Sequence, residues 1–161
     1  MLKKLLTEGR KERNRQLHLK NTWGHDLGGY CALTSGNLFL TLKEFNPVFC
    51  IANQTESDSH HSFLEIGQYC IDITAKQFSN KLPAVFICKK SVYRDFLIEL
   101  GYEIESKAKS QEEIRENLAG WDDKFKPSYC HQSHKKIESI KSLVNSEISL
   151  TTSPKNNRIS L

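Results

Sequence analysis

No Cys-x-x-Cys pair occurs in this sequence, although it holds five cysteines, at positions 31, 50, 70, 88 and 130. An odd number without paired spacing argues against a disulfide framework and for free thiols in a reducing, cytosol-like compartment. No apolar run approaches the length of a bilayer span, and none of signal-peptide length follows the basic N-terminus. The expectation is a chain without a membrane span, either cytoplasmic or exported without a cleaved signal peptide. Internal repeats are absent as well.

Charge of one sign is also in short supply, since 23 Lys and Arg face 19 Asp and Glu for a net charge of +4. The excess is local: Lys3, Lys4, Arg10, Lys11, Arg13, Arg15 and Lys20 lie at the front, and Lys135, Lys136, Lys141, Lys155 and Arg158 at the back. Neither run carries a recognisable nucleic-acid motif or interleaved aromatics. Both read as solvated helix faces, and nucleic acid is not expected as the primary partner. The cluster Cys130-His131-x-x-His134 lacks a fourth nearby ligand and zinc-site spacing, so neither a metal nor another cofactor is expected.

What is present is enough for one domain: 161 residues, 38% of them hydrophobic, can bury a real core. Residues 1–21 read as a basic helix with leucines at 2, 5, 6, 17 and 19. Cys31 opens an apolar-patterned helix reaching Leu42, interrupted by the poor helix formers Ser35-Gly36-Asn37. A buried strand is expected over 47–53, then a polar loop over 54–59, a hairpin, and a strand over 84–88 introduced by Pro83. Tyr93–Leu100 reads as an amphipathic helix closed by Gly101. Ser110 and Glu113 form a capping box for a helix over 110–118, and 131–144 is expected to be the last helix.

The hairpin carries the chemistry. A two-residue turn at Gly67-Gln68 pairs residues whose indices sum to 135, so Phe63 faces Asp72 and His61 faces Thr74. Side chains alternate across a strand, which sorts 61, 63, 65, 70, 72 and 74 onto one face and 60, 62, 64, 66, 69, 71 and 73 onto the other. The second face holds Leu64, Ile66, Tyr69, Ile71 and Ile73 and suits a core. The first holds His61, Glu65, Asp72 and Thr74 and suits a cleft, with Glu65 solvated or lining its mouth. His61 and Asp72 become diagonal neighbours roughly 7–8 Å apart at the backbone, within side-chain reach. The same parity selects His61 over His60 as a base.

Cys31 follows Gly28-Gly29-Tyr30 and starts a helix. A thiol there feels the positive end of the helix dipole, and its own backbone N–H is available as an oxyanion donor. Trp23, His25 and Tyr30 are candidates for the second donor. Singly, Cys31 would read as an inert buried thiol, His61 as a surface histidine and Asp72 as a turn former. Jointly they read as a nucleophile, a base and an orienter.

These residues also resemble a known family. His61-Ser62-Phe63-Leu64-Glu65, followed by Ile71-Asp72-Ile73-Thr74, is similar to the His-x-(Trp/Phe)-(Val/Leu)-Glu and Asp-x-Thr elements of transglutaminase-like cysteine enzymes. Gln77-Phe78 resembles the Thr-x-x-Gln-(Phe/Tyr) tail of bacterial members. The resemblance spans roughly residues 24–90. It implies an α+β, papain-like core, with a catalytic helix packed on an antiparallel sheet of at least four strands and with extra N- and C-terminal helices. In that scheme residues 1–22 are a basic extension, 23–126 the catalytic domain, 127–150 a C-terminal helix and 151–161 a disordered tail.

The implied activity is a cysteine-dependent hydrolase or acyl-transfer enzyme, a protease or amidase acting on a protein or peptide amide. Cys31 is the nucleophile, His61 the base and Asp72 the orienter. Two alternatives stay open: a bacterial effector-type glutamine deamidase, and a non-catalytic interaction domain on the same scaffold.

Overall fold

The computed structural model describes residues 1–20, 27, 30–108, 110–124 and 143–146. Along them run α1 (Leu2–Lys20), α2 (Cys31–Thr41), β1 (Val48–Gln54), β2 (His60–Ile66), β3 (Tyr69–Asp72), β4 (Phe86–Lys89), α3 (Lys90–Glu99), β5 (Tyr102–Ala108) and α4 (Gln111–Lys124). The strands form one antiparallel sheet in the order β4-β3-β2-β1-β5. The class is α+β, as expected, and the sheet has five strands, within the expectation of at least four. The additional strand, β5, is an edge: Glu103, Glu105, Ser106 and Lys107 are exposed, so its apolar pattern is too sparse to stand out.

The hairpin register is the expected one, with Leu64 opposite Ile71, Glu65 opposite Cys70 and Ile66 opposite Tyr69. Gly67 opens the turn at φ 58°, the left-handed value that glycine adopts without a Cβ penalty. Alternation then distributes the strands between two cores. Leu64, Ile66, Ile71, Ile73 and Ile87 pack with Leu5 of α1, Leu38 and Phe39 of α2 and Ile114 of α4. Phe63, Cys70, Phe86 and Cys88 pack on the other side with Tyr93, Phe96 and Leu97 of α3 and with Phe78 and Leu82. The sheet is therefore covered on both faces.

This corrects one expectation. The face carrying residues 61, 63, 65, 70 and 72 is not an open polar cleft but a second apolar layer, with His61 and Asp72 at most 1% exposed. Glu65 is neither solvated nor at a mouth: it is buried and paired with Arg94 of α3 at 2.5 Å. Burial of a carboxylate requires such a partner.

Helix α1, read from sequence as an extension ahead of the domain, is part of the first core. Leu5 is fully buried there, and the Arg13 guanidinium donates to the Ile73 carbonyl at 2.5 Å. The capping box of α4 forms as expected: Glu113 accepts from the Ser110 N–H at 2.9 Å and Ser110 Oγ from the Glu113 N–H at 3.2 Å. Of the expected C-terminal helix, residues 143–145 are helical and Leu143 is buried in the second core. The remainder of that helix, the Cys130-His131-x-x-His134 cluster and the tail 151–161 lie outside the described residues.

Candidate active site

Cys31, His61 and Asp72 are brought together by a match between one helix turn and one strand repeat. The Cys31 thiol points at the His60 carbonyl, with Sγ–O 3.9 Å, and the Ser35 hydroxyl donates to the Ser62 carbonyl at 3.0 Å. Four helical residues rise about 6 Å, and two strand residues about 6.7 Å, so the spacings 31→35 and 60→62 are nearly commensurate. The helix start is thereby registered against the beginning of β2, at His61. Thr34 Oγ1 donates to the Tyr30 carbonyl at 2.8 Å and secures the first turn. The N–H of Cys31 has no acceptor within its own helix, as for any residue in a first turn.

His61 reaches Asp72 and the aromatic side chains of the second core. Its Nε2 lies 2.7 Å from Asp72 Oδ2, and its Nδ1 lies 2.7 Å from Gln77 Nε2. Phe78 meets the ring edge-on at 4.8 Å between centroids and Phe63 stacks at 6.1 Å, so the imidazole is walled by aromatics. Parity distinguishes the adjacent histidines correctly: His61 bonds Asp72, while His60 points to the opposite face.

Asp72 is fully buried and each carboxylate oxygen has two donors. Oδ1 accepts from the Thr74 N–H at 2.7 Å and the Thr74 hydroxyl at 2.9 Å; Oδ2 accepts from His61 Nε2 and from the Tyr93 hydroxyl. The Asp-x-Thr spacing thus has a physical basis, because a threonine two residues on can return both its amide and its hydroxyl to the carboxylate.

The electrostatics follow. Burial is the largest single influence on Asp72 and favours the neutral acid, but the His61 charge and hydrogen bond, with Tyr93 and Thr74, outweigh it and lower its pKa. For His61 burial again acts most strongly and favours the neutral ring. The charge and hydrogen bond of Asp72 overcome it, with a smaller upward contribution from the Cys31 thiol, so the net shift is upward. The protonation of His61 therefore responds to Cys31 as well as to Asp72.

Tyr93 escapes a reading of the sequence because it counts there only as an apolar position of an amphipathic helix. The available signal is its hydroxyl, which a buried tyrosine must satisfy. Tyr93→Phe is expected to cost about 1.5–3 kcal/mol, the range for a hydrogen bond to a charged group, in thermal or urea unfolding. It is also expected to raise the Asp72 pKa. Of the candidate oxyanion donors, Tyr30 stands half-buried directly before Cys31, while Trp23 and His25 lie outside the described residues. Among the described residues no group of three or more His, Cys, Asp or Glu side chains is arranged to hold a metal ion. No helix among them is long and apolar enough to cross a membrane.

Comparison with known proteins finds no matching family model, no matching curated protein and no matching solved structure.

Proposed function

We propose that this protein is a cysteine-dependent hydrolase or acyl-transfer enzyme of papain-like, transglutaminase-like type, acting on an amide of a protein or peptide. The observation that carries the reading is the buried His61–Asp72 pair at 2.7 Å, beside a thiol at a helix N-terminus that faces the carbonyl of the adjacent His60. A carboxylate with four donors, set behind a histidine, is the arrangement that holds an imidazole in one tautomer.

In the proposed cycle His61 takes the Cys31 proton and the sulfur attacks the amide carbonyl carbon. The carbonyl oxygen becomes an oxyanion, stabilised by the Cys31 N–H at the helix start. Collapse breaks the C–N bond, His61 delivers its proton to the departing nitrogen, and a thioester remains on Cys31. Water then adds to the thioester as His61 takes one of its protons; the C–S bond breaks, His61 returns that proton to the sulfur, and the acid leaves with the Cys31 thiol restored. Throughout, Asp72 keeps the Nε2–H of His61 directed at itself.

The test is the rate at which iodoacetamide labels each cysteine near pH 6.5, mapped by mass spectrometry. An ordinary thiol is about 1% ionised there. Cys50 and Cys88 stand even further from ionisation, pushed up to about 12 chiefly by burial. Labelling of Cys31 is expected to exceed that of every other cysteine at least tenfold and to lose that advantage in His61→Ala. Equal, slow labelling of all cysteines in the wild type would overturn the reading and leave the interaction-domain alternative. Incubation with a peptide library then separates cleavage, which gives fragments, from side-chain deamidation, which adds about 1 Da to an intact chain.

A further inference from the structure

The four polar side chains behind Cys31 form a closed ring of hydrogen bonds. His61 Nε2 meets Asp72 Oδ2 at 2.7 Å, Asp72 Oδ1 meets Thr74 Oγ1 at 2.9 Å, Thr74 Oγ1 meets Gln77 Nε2 at 3.3 Å, and Gln77 Nε2 returns to His61 Nδ1 at 2.7 Å. The donors around this ring can be assigned from Asp72 outward. Its carboxylate only accepts, so the single hydroxyl hydrogen of Thr74 goes to Oδ1 and Thr74 Oγ1 is left as an acceptor toward Gln77. The group of Gln77 that faces Thr74 is therefore the NH2, whose other hydrogen points at Nδ1. When the ring is neutral, Nδ1 then presents its lone pair, and the ring proton sits on Nε2 toward Asp72.

We infer that Gln77 is a positioning residue that fixes the neutral His61 ring in the Nε2–H tautomer and occupies its Nδ1 lone pair, so that the neutral ring accepts the Cys31 proton only as the carboxamide yields. The inference rests on the catalytic reading of Cys31 for its second half; the tautomer assignment stands on the ring alone. Local structure pins the amide in place. The single 3₁₀ turn Ala75–Gln77 returns the Gln77 N–H to the Thr74 carbonyl at 3.0 Å, and the next residue, Phe78, is the one packed against the imidazole. Turning the carboxamide over would set its oxygen against Thr74 Oγ1, which has no hydrogen left to give.

Gln77 and Asp72 thus act on His61 in opposite senses. Asp72 from β3 favours the imidazolium, as does Cys31 from α2. Tyr93 from α3 directs its hydroxyl hydrogen to Asp72 and stands 3.3 Å from Nε2. Among the described residues the ring's other contacts, Phe63 and Phe78, carry no charge. A donor aimed at Nδ1 favours the neutral ring, because protonation there would put two N–H groups face to face. The site holds a base that its carboxylate makes stronger and its carboxamide makes weaker.

The test is a 15N NMR titration of the His61 imidazole in the wild type, Gln77→Met and Gln77→Glu, with the hairpin amide shifts reporting that each variant is folded. Above its pKa the wild-type ring is expected as the Nε2–H tautomer. Gln77→Met, which keeps the volume and removes the donor, is expected to raise the His61 pKa by about one unit, and Gln77→Glu, which replaces the donor by a carboxylate, to raise it further. A merely structural role predicts the reverse, since a loosened ring would lose Asp72 and titrate lower. A pKa unchanged or lowered in both variants, or a wild-type Nδ1–H tautomer, would overturn the inference. The two readings fail separately: if Cys31 is not the fast-labelling thiol but the titration still rises, catalysis falls and the clamp stands. Fast labelling of Cys31 with no rise in either variant removes the clamp and leaves catalysis standing.

Discussion

Asp72→Asn is expected to reduce the reactivity of Cys31, and any amide hydrolysis it supports, by about 10³- to 10⁴-fold, through a change of tautomer rather than of shape. Asparagine fits the space but offers one acceptor oxygen and one NH2. Thr74 presents two donors, its N–H at 2.7 Å and its hydroxyl at 2.9 Å, so the oxygen is drawn to that side. The NH2 then faces His61 Nε2 and the Tyr93 hydroxyl. Nε2 can answer only as an acceptor, which sends the ring proton to Nδ1, against the Gln77 amide and away from the state that can take a thiol proton. With the carboxylate charge gone, burial is left as the main influence on His61, and its pKa is expected to fall below that of an exposed histidine rather than stand above it. Stability should drop by about 3 kcal/mol, because a buried pair has lost its charged partner. An unaltered His61 titration and an unaltered Cys31 labelling rate in Asp72→Asn would show that the 2.7 Å contact does not govern His61.

The pairing of His61 with Asp72 is legible in the sequence because it depends on a period of two and on a turn. Gly67 sets the turn, and every later pairing follows from it by counting. That Thr74 serves Asp72 is visible in the sequence only as a motif; its cause, two donors returning to one carboxylate oxygen, needs coordinates. Burial of the site face is illegible for a different reason. The covering groups Phe78, Tyr93 and Phe96 belong to later segments of the chain, and nothing local to the hairpin reports them. Glu65 shows the same limit: its partner Arg94 is 29 residues away on α3, so an apparently solvated carboxylate is buried. Gln77 stands out in the sequence only through its resemblance to the tail of bacterial transglutaminase-like members, and its contact with Nδ1 of His61 needs coordinates. Edge strand β5 escapes notice because much of it faces solvent.

Helix α1 reads as an extension because its buried stripe is not made of leucine alone. Leu5, Gly9, Glu12, Arg13 and Gln16 follow helical spacing and are all buried, but a glycine and three polar residues do not register as a core face. Gly9 makes this testable. In an exposed helix, glycine to alanine would gain about 1 kcal/mol from propensity. Here a Cβ would stand 2.8 Å from Val85 Cγ1 and 3.3 Å from both Ile71 Cδ1 and Ile73 Cγ2. Valine and isoleucine are stiff at χ1, so the helix rather than the sheet has to move. Gly9→Ala is therefore expected to destabilise by about 1–3 kcal/mol. Gly9→Leu should lift α1 from the sheet and cost on the order of 4 kcal/mol, since Leu5 then loses its burial. Displacement of α1 also removes Arg13 from the Ile73 carbonyl, which lies between Asp72 and Thr74 in the chain, so loss of Cys31 labelling should accompany the loss of stability. Urea unfolding and iodoacetamide labelling of the two variants measure both effects; a stabilised Gly9→Ala would mean that α1 sits on the core more loosely than its contacts with Val85 and Ile73 require.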